Sequence, residues 1–415
     1  MQINTRNYLL AISFCISGFA LTSCNSNGKL QSGDWRAVII PDTTRPDLEL
    51  PFNIEFSYGN SSSILAKIRN ADEIIEVTEI VETDDSLILH LPVFEGTIKA
   101  EKKKTKLIGI YTHKAAGRTW SVPFEAFRGE NDRFTIPDEP ALFDVSGKWK
   151  VEINPESPGA EIQVGEFRAE GNHLTGTFLT TIGDYRYLEG KVSGDQFMMS
   201  CFDGAHSLIF TARLSENGEI EEGIFCGGPY WKGTWRAVKD PDVSLPDATQ
   251  LTYLKSGYES IDFSFPDLLG QMVSPEDEKY NNKALIIQII GSWCPNCMDE
   301  TRYFAELYRK YKTKGLEIIA LCYESDDFEA SKRAIFRFKN DLNAAYTFLH
   351  AGESNKNKAS QTLPMINRVI SYPTSIFINK EGEIQKIFTG FTGPGTGKHF
   401  DNLASEMTSL IESML

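Results

Sequence analysis

The chain has 415 residues, 41% of them hydrophobic and 24% charged, with a formal net charge of −15. At roughly 150 residues per domain this length gives two or three domains, and the composition excludes disorder, collagen-like structure and coiled coil as descriptions of the whole. So acidic a chain repels phosphate backbones, which excludes nucleic acid as a partner. Seven cysteines are too few for a miniprotein built on disulfides, so their placement carries the information.

Two cysteines lie in the first 24 residues. Arg6 is the only charged side chain before Tyr8, and Tyr8 to Leu21 is a largely apolar run of 14 residues. A membrane span needs about 20 residues, whereas a run of this length suits the core of a signal peptide. It ends in Leu21-Thr22-Ser23-Cys24, which resembles the lipobox of bacterial lipoproteins. That resemblance implies a signal peptide over residues 1–23, lipid attachment at Cys24 and a polar tether over residues 24–34. The protein is then expected in the cell envelope, held by its lipid alone and facing the periplasm. Asn25, where an inner-membrane lipoprotein would carry Asp, points to the outer membrane.

A β-rich region follows. Alternating runs such as Asp85–Leu91 and Gly176–Thr180 are separated by Gly, Asp and Asn at roughly 8–12 residues, the pattern of a sandwich or barrel. No amphipathic helix is evident between Trp35 and Val238. Gly33-Asp34-Trp35 is echoed by Gly147-Lys148-Trp149 and by Gly233-Thr234-Trp235, and Val93-Phe94-Glu95-Gly96 by Cys201-Phe202-Asp203-Gly204. Two related β-rich subdomains are expected, over residues 35–135 and 145–239, duplicated with a period of about 110 residues. Simple recurrence of Gly-x-Trp at strand starts is the plainer alternative. Cys201 and Cys226 lie in strand-like runs; in an oxidising compartment they either bridge or remain buried thiols. The tryptophans read as core packing.

Residues 240–260, with Asp240-Pro241-Asp242 and Leu245-Pro246-Asp247, read as a linker to an α/β domain over residues 261–415. Ala284 to Ile290 is the unbroken apolar run of a strand covered on both faces. Phe304, Leu307, Tyr308 and Tyr311 form a helical stripe, and Leu316 to Cys322 is a second buried strand. Ser375–Asn379 and Ile384–Phe388 flank Lys380-Glu381-Gly382-Glu383 as a hairpin. Phe400, Leu403, Met407, Leu410 and Met414 line a closing helix. This order of elements is that of a thioredoxin-like domain.

Trp293-Cys294-Pro295-Asn296-Cys297 stands between the central strand and the first helix. Cys294 then sits where free N–H groups and the helix dipole favour an anion, and Cys297 lies one turn inside, able to resolve a mixed disulfide. Cys294 is expected to be exposed and Cys297 shielded. A zinc site would need a second ligand pair; none has the spacing, and the six histidines are scattered, so no metal is expected. A peroxidatic site would place Thr or Ser three residues before the cysteine, where this chain has Gly291. Far downstream stands Tyr372-Pro373-Thr374. WCxxC after a buried strand, with x-Pro-Thr before Ser375-Ile376-Phe377-Ile378, resembles the thioredoxin-like TlpA/ResA disulfide reductases, and Phe263–Gly270 resembles their strand-and-turn entry.

The resemblance covers roughly Ile261 to Leu415, in the manner of Bacteroidetes members, and implies the following. Pro373 is cis and faces the dithiol, and Trp293, Tyr372 and Pro373 contact the client chain. Cys294 and Cys297 form the redox disulfide. Glu324 matches a functional glutamate after the second strand. Gln288 stands where thioredoxins bury an aspartate; it takes no proton, which throws weight on Glu324. The dithiol serves as its own cofactor. Expected partners are disulfide-containing envelope proteins and a membrane thiol electron donor, since an oxidising compartment must be supplied with electrons. The competing reading is an envelope binding protein whose β-rich half recognises a partner, with the redox domain auxiliary.

Overall fold

The computed structural model describes residues 28–59 and 63–415, so Cys24 and the apolar run before it lie outside the described residues. Among the described residues no helix is long and apolar enough to cross a membrane.

The first nine strands are β1 (Gly33–Ile39), β2 (Leu50–Tyr58), β3 (Ile64–Asn70), β4 (Glu73–Val77), β5 (Glu79–Glu82), β6 (Ser86–His90), β7 (Glu95–Lys102), β8 (Lys106–Ala115) and β9 (Arg118–Arg128). They form one sheet in the order β4-β3-β2-β1-β9-β8-β7-β6-β5. Alternation makes the core face: in β7, Gly96, Ile98 and Ala100 are buried while Lys99 and Glu101 are exposed.

The next nine are β10 (Gly147–Ile153), β11 (Glu161–Glu170), β12 (His173–Thr180), β13 (Gly183–Asp184), β14 (Leu188–Ser193), β15 (Gln196–Phe202), β16 (Ser207–Leu214), β17 (Ile220–Gly227) and β18 (Trp231–Lys239). Here β11 pairs with β12 as well as β10, and β10 with β18, so eight strands close into an antiparallel barrel with β13 appended to β12. Closure removes the free edges that an open sheet must protect.

The two units share a starting device. Trp35 and Trp149 are fully buried, and each indole N–H donates to the carbonyl four residues earlier, Gln31 at 3.3 Å and Val145 at 2.8 Å. Each also faces the end of its unit's last strand, Arg128 and Lys239. Trp235, the third echo, lies in the closing strand β18 opposite Ile153 and starts no further unit. Cys201 in β15 and Cys226 in β17 are free, with β16 between them. Two strand spacings, about 9–10 Å, exceed the reach of a disulfide. The sulfurs also serve different cores, Cys201 that of the barrel and Cys226 that of the first sheet.

The C-terminal unit begins with a short hairpin, β19 (Phe265–Pro266) and β20 (Met272–Val273). It continues with β21 (Ala284–Ile290), α1 (Pro295–Tyr311), β22 (Leu316–Glu324), α2 (Phe328–Asp341), β23 (Thr347–Glu353), α3 (Lys356–Thr362), β24 (Thr374–Ile378), β25 (Ile384–Thr389) and α4 (Lys398–Met414). The sheet order is β23-β22-β21-β24-β25, with every residue of the central β21 buried. Strand β23 and helix α3 were not evident in the sequence, because His350 and Gly352 interrupt the apolar pattern. Residues 252–255 are laid on this unit: Lys255 N donates to Met365 O at 2.8 Å, and the Thr252 and Thr389 hydroxyls are 2.9 Å apart.

The three units interlock. Val93 and Phe94, from the loop before β7, are buried in the core of the C-terminal unit. Phe202, at the end of β15, stacks on Phe52 of the first sheet with ring centroids 4.3 Å apart. Asn70 brackets the same Phe202, donating to its carbonyl at 2.9 Å and accepting from its N–H at 3.1 Å. At the junction lies Arg186, 1% exposed, with φ +58 held by Asp184, whose carboxylate accepts from the Arg186 N–H at 2.7 Å. Its guanidinium bonds Glu73 of β4 and Asp299 of α1 and stands 3.0 Å from Asp203 of the barrel.

Candidate active site

Strand β21 delivers the chain to Gly291-Ser292-Trp293-Cys294, and Pro295 opens α1, a position that suits its fixed φ and missing N–H. Cys294 is the N-cap: the Cys297 amide donates to its sulfur at 3.3 Å. The Cys294 thiol donates in turn to the Tyr372 carbonyl at 3.4 Å, and the Tyr372–Pro373 bond is cis. Trp293 meets Tyr372 edge-on at 5.6 Å and anchors its indole N–H to the Tyr323 carbonyl at 3.0 Å. Trp293, Cys294, Cys297, Tyr372 and Pro373 therefore form one cluster, although nearly 80 residues separate the two segments.

Exposure is more modest than expected. Cys297 is 0% exposed, and Cys294 is itself only 7% exposed rather than open. It lies beneath the Tyr372 carbonyl, and the barrel packs on the loops around it. The turn between β12 and β13 does this: a Cβ at Gly183 would stand 2.2 Å from Asn296 Nδ2, and one at Gly390 2.3 Å from the Ile182 carbonyl oxygen. Gly390 has φ +83, so only glycine suits both its backbone and this close approach. Asp184 completes the seam by accepting from Gly393 N at 2.6 Å.

A second buried carboxylate stands on the helix that carries the dithiol, at a residue that no sequence motif singles out. Glu300, three residues beyond Cys297 on the inner face of α1, is fully buried. It accepts from Gln288 Nε2 at 2.8 Å and from Ser375 Oγ at 2.8 Å, while Gln288 Oε1 accepts from Tyr346 OH at 2.9 Å. The position that Gln288 leaves without an acid is thus supplied from the helix. Burial pushes Glu300 up to about 7. Burial, with the bond and charge of Cys294, pushes the Cys297 thiol well above its ordinary value, and Glu300 adds to this. The signal was present as a glutamate at i+3 from Cys297, a spacing that shares one helix face.

Glu324 ends β22 and is 3% exposed. It accepts from Ser292 N at 2.6 Å and Ser292 Oγ at 3.0 Å, and burial pushes it up to about 8. Its hydrogen bonds go to the segment leading into Cys294, and none goes to either sulfur. Cys322 is a fully buried strand thiol. Among the described residues no cluster of three or more His, Cys, Asp or Glu is arranged to hold a metal ion.

These raised carboxylates set a sign for stability against pH. Both groups hold protons in the fold that the unfolded chain releases near 4.5. Their contribution is full below that pH and is lost as pH rises through about 7 and 8. Calorimetry is expected to show the unfolding midpoint falling between about pH 5 and 8, with Glu300→Gln flattening the fall by on the order of 3 kcal/mol or less. An unchanged slope in that variant contradicts the assignment.

Residues 244–404 match the Redoxin family. Thiol-disulfide oxidoreductase ResA of Bacillus thuringiensis is 33% identical over 131 residues, covering 32% of this chain and 68% of that protein. ResA of Geobacillus kaustophilus is 26% identical over 156 residues, covering 37% and 82%. Among solved structures, a thiol-disulfide oxidoreductase from Bacteroides fragilis is 21% identical, with a TM-score of 0.26, covering 35% of this chain and 99% of that one. By its C-terminal unit the chain belongs to the TlpA/ResA-like thioredoxin-fold thiol-disulfide oxidoreductases.

Proposed function

We propose that this protein is an envelope disulfide reductase in which Cys294 attacks and Cys297 resolves. The observation that carries the reading is Cys294 as N-cap of α1, with the Cys297 amide on its sulfur and the carbonyl before a cis proline above it. The Cys294 thiolate attacks one sulfur of a client disulfide, forming a mixed disulfide as the second client sulfur leaves as thiolate. Cys297 loses its proton and attacks the Cys294 sulfur, releasing the first client sulfur. The client gains two electrons and two protons, and the enzyme is left with a Cys294–Cys297 disulfide. A membrane dithiol then restores the pair, as an oxidising compartment requires. We assign the proton from Cys297 to Glu300, three residues on along the same buried face of α1, whose charge acts on that thiol. Glu324 positions Ser292 and so the approach to Cys294, with Trp293, Tyr372 and Pro373 framing the client.

The same reading places the protein in the cell envelope, its clients being disulfide-containing envelope proteins. Leu21-Thr22-Ser23-Cys24 supports a lipid-modified Cys24. Several acyl chains at about 0.8 kcal/mol per buried CH₂ hold a protein on a membrane far longer than one myristoyl chain.

Single mutants separate the roles. Cys297→Ser is expected to accumulate mixed disulfides with envelope proteins on non-reducing gels, and Cys294→Ser to capture few. Glu300→Gln is expected to slow release of the trapped client about a hundredfold, the lower end of general acid–base effects, with little change in first attack. Equal trapping by both cysteine variants contradicts the order of attack, and unchanged release in Glu300→Gln removes that residue from proton transfer.

Anchoring has its own test. The native protein is expected to partition into the detergent phase and Cys24→Ser into the aqueous phase. Detergent partitioning of Cys24→Ser overturns the lipid assignment.

A further inference from the structure

A cleft of about 410 Å³ lies where the two β units meet the redox motif. Trp120 of the first sheet and Tyr185, Tyr230 and Trp231 of the barrel form one side, and Trp293 and Pro295 the other. Trp293 and Pro295 are the immediate chain neighbours of Cys294, so the cleft adjoins the segment that carries that sulfur. On the other flank, Ile182 and Gly183 of the barrel occupy the groove at Asn296, Ser371 and Gly390. Access along that flank is taken by the protein itself.

We propose that this cleft binds an extended segment of the client polypeptide and receives an aromatic side chain from it. The inference rests on the reductase reading above and extends it, making the β-rich half the part that chooses clients.

Three observations carry it. Tyr230 is 76% exposed and Trp231 37% exposed, so large rings that bury readily elsewhere in the chain stand open at the mouth. Tyr185 meets Trp231 edge-on at 5.3 Å, and Trp120 lies 5.4 Å from the His113 ring, so the walls are aromatic surfaces already fixed in place. His113 lines the cleft, is 5% exposed, and its Nδ1 has no hydrogen-bond partner. A buried polar atom left unsatisfied is costly, and an O–H or N–H on the occupant would remove that cost. Burial holds His113 down at about 4, so near neutral pH it offers an uncharged ring. Tyrosine and tryptophan supply both a ring and a donor.

Size decides between a segment and a folded partner. Ligand sites run from about 300 to 1,000 Å³, and this one lies near the lower end. It has room for a side chain with a short stretch of backbone and none for a domain.

The test uses the reduced full-length chain and cysteinyl peptides activated as mixed disulfides with thionitrobenzoate. Attack by Cys294 on the peptide sulfur releases thionitrobenzoate, read by its absorbance. A peptide with Tyr beside its cysteine is expected to react about tenfold faster than its Ala analogue, equivalent to about 1.4 kcal/mol. That ratio is expected to fall below about twofold in Trp231→Ala, and in Tyr230→Ala, which truncates an exposed ring and spares the core. Equal rates for the two peptides on the native protein, or a preference that survives both substitutions, overturns the cleft proposal. Hydroxyethyl disulfide, too small to need the cleft, separates this from the underlying reading. If the native protein reduces it while showing no peptide preference, the cleft fails alone; if it reduces neither it nor any peptide, the reductase reading fails.

Discussion

The arrangement depends on one buried cation. Arg186 sits at 1% exposure among carboxylates from all three units: Glu73 from the first sheet, Asp203 from the barrel and Asp299 from the helix that carries the dithiol. Burial raises Glu73, the expected response of an acid taken out of water. Burial acts on Asp203 in the same direction, but His206 and Arg186 outweigh it and hold Asp203 well below the usual carboxylate range. Arg302 gives Asp299 a second cation at 3.7 Å. A buried network of this kind adds little net stability compared with apolar packing, but removing one partner leaves charges stranded and typically costs about 3–5 kcal/mol. Its effect here is to fix geometry, and the units cannot separate without exposing it.

That geometry reaches the sulfur. Asp299 lies two residues beyond Cys297, and Arg186 two residues beyond Asp184, which accepts from Gly393 in the loop beside the cis proline. The same short stretch of barrel therefore grips α1 and lays Ile182 and Gly183 against Asn296 and Gly390. The β-rich half forms one side of the redox site and shares its packing. Val93 and Phe94 in the core of the C-terminal unit give the first sheet a comparable hold.

What could be read from the sequence was local in character. The WCPNC motif, the Tyr372-Pro373 pair, the central strand and the hairpin at Lys380–Glu383 each declare themselves within a few residues. The barrel was legible as alternation, and the shared start of the β units as Gly-x-Trp. What escaped was long-range or off-pattern. Arg186 and Asp299 are 113 residues apart, and nothing in either segment names the other. Glu324 stands out by its place after the second strand, whereas Glu300, three residues beyond the buried thiol, is one of several acids on a helix. Strand β23 was masked by His350 and Gly352. Cys294 lies deeper than its place at the helix start implies, because the Tyr372 carbonyl, nearly 80 residues further on, stands over its thiol.

Calorimetry on the full chain, with and without Arg186→Met, tests most directly whether the three units stand as one. Shared cores and a common buried ion network predict a single cooperative transition for the native chain. They predict that Arg186→Met lowers its midpoint and splits it, as barrel and redox unit lose their common anchor. Separate transitions in the native chain that Arg186→Met leaves unmoved would contradict the account.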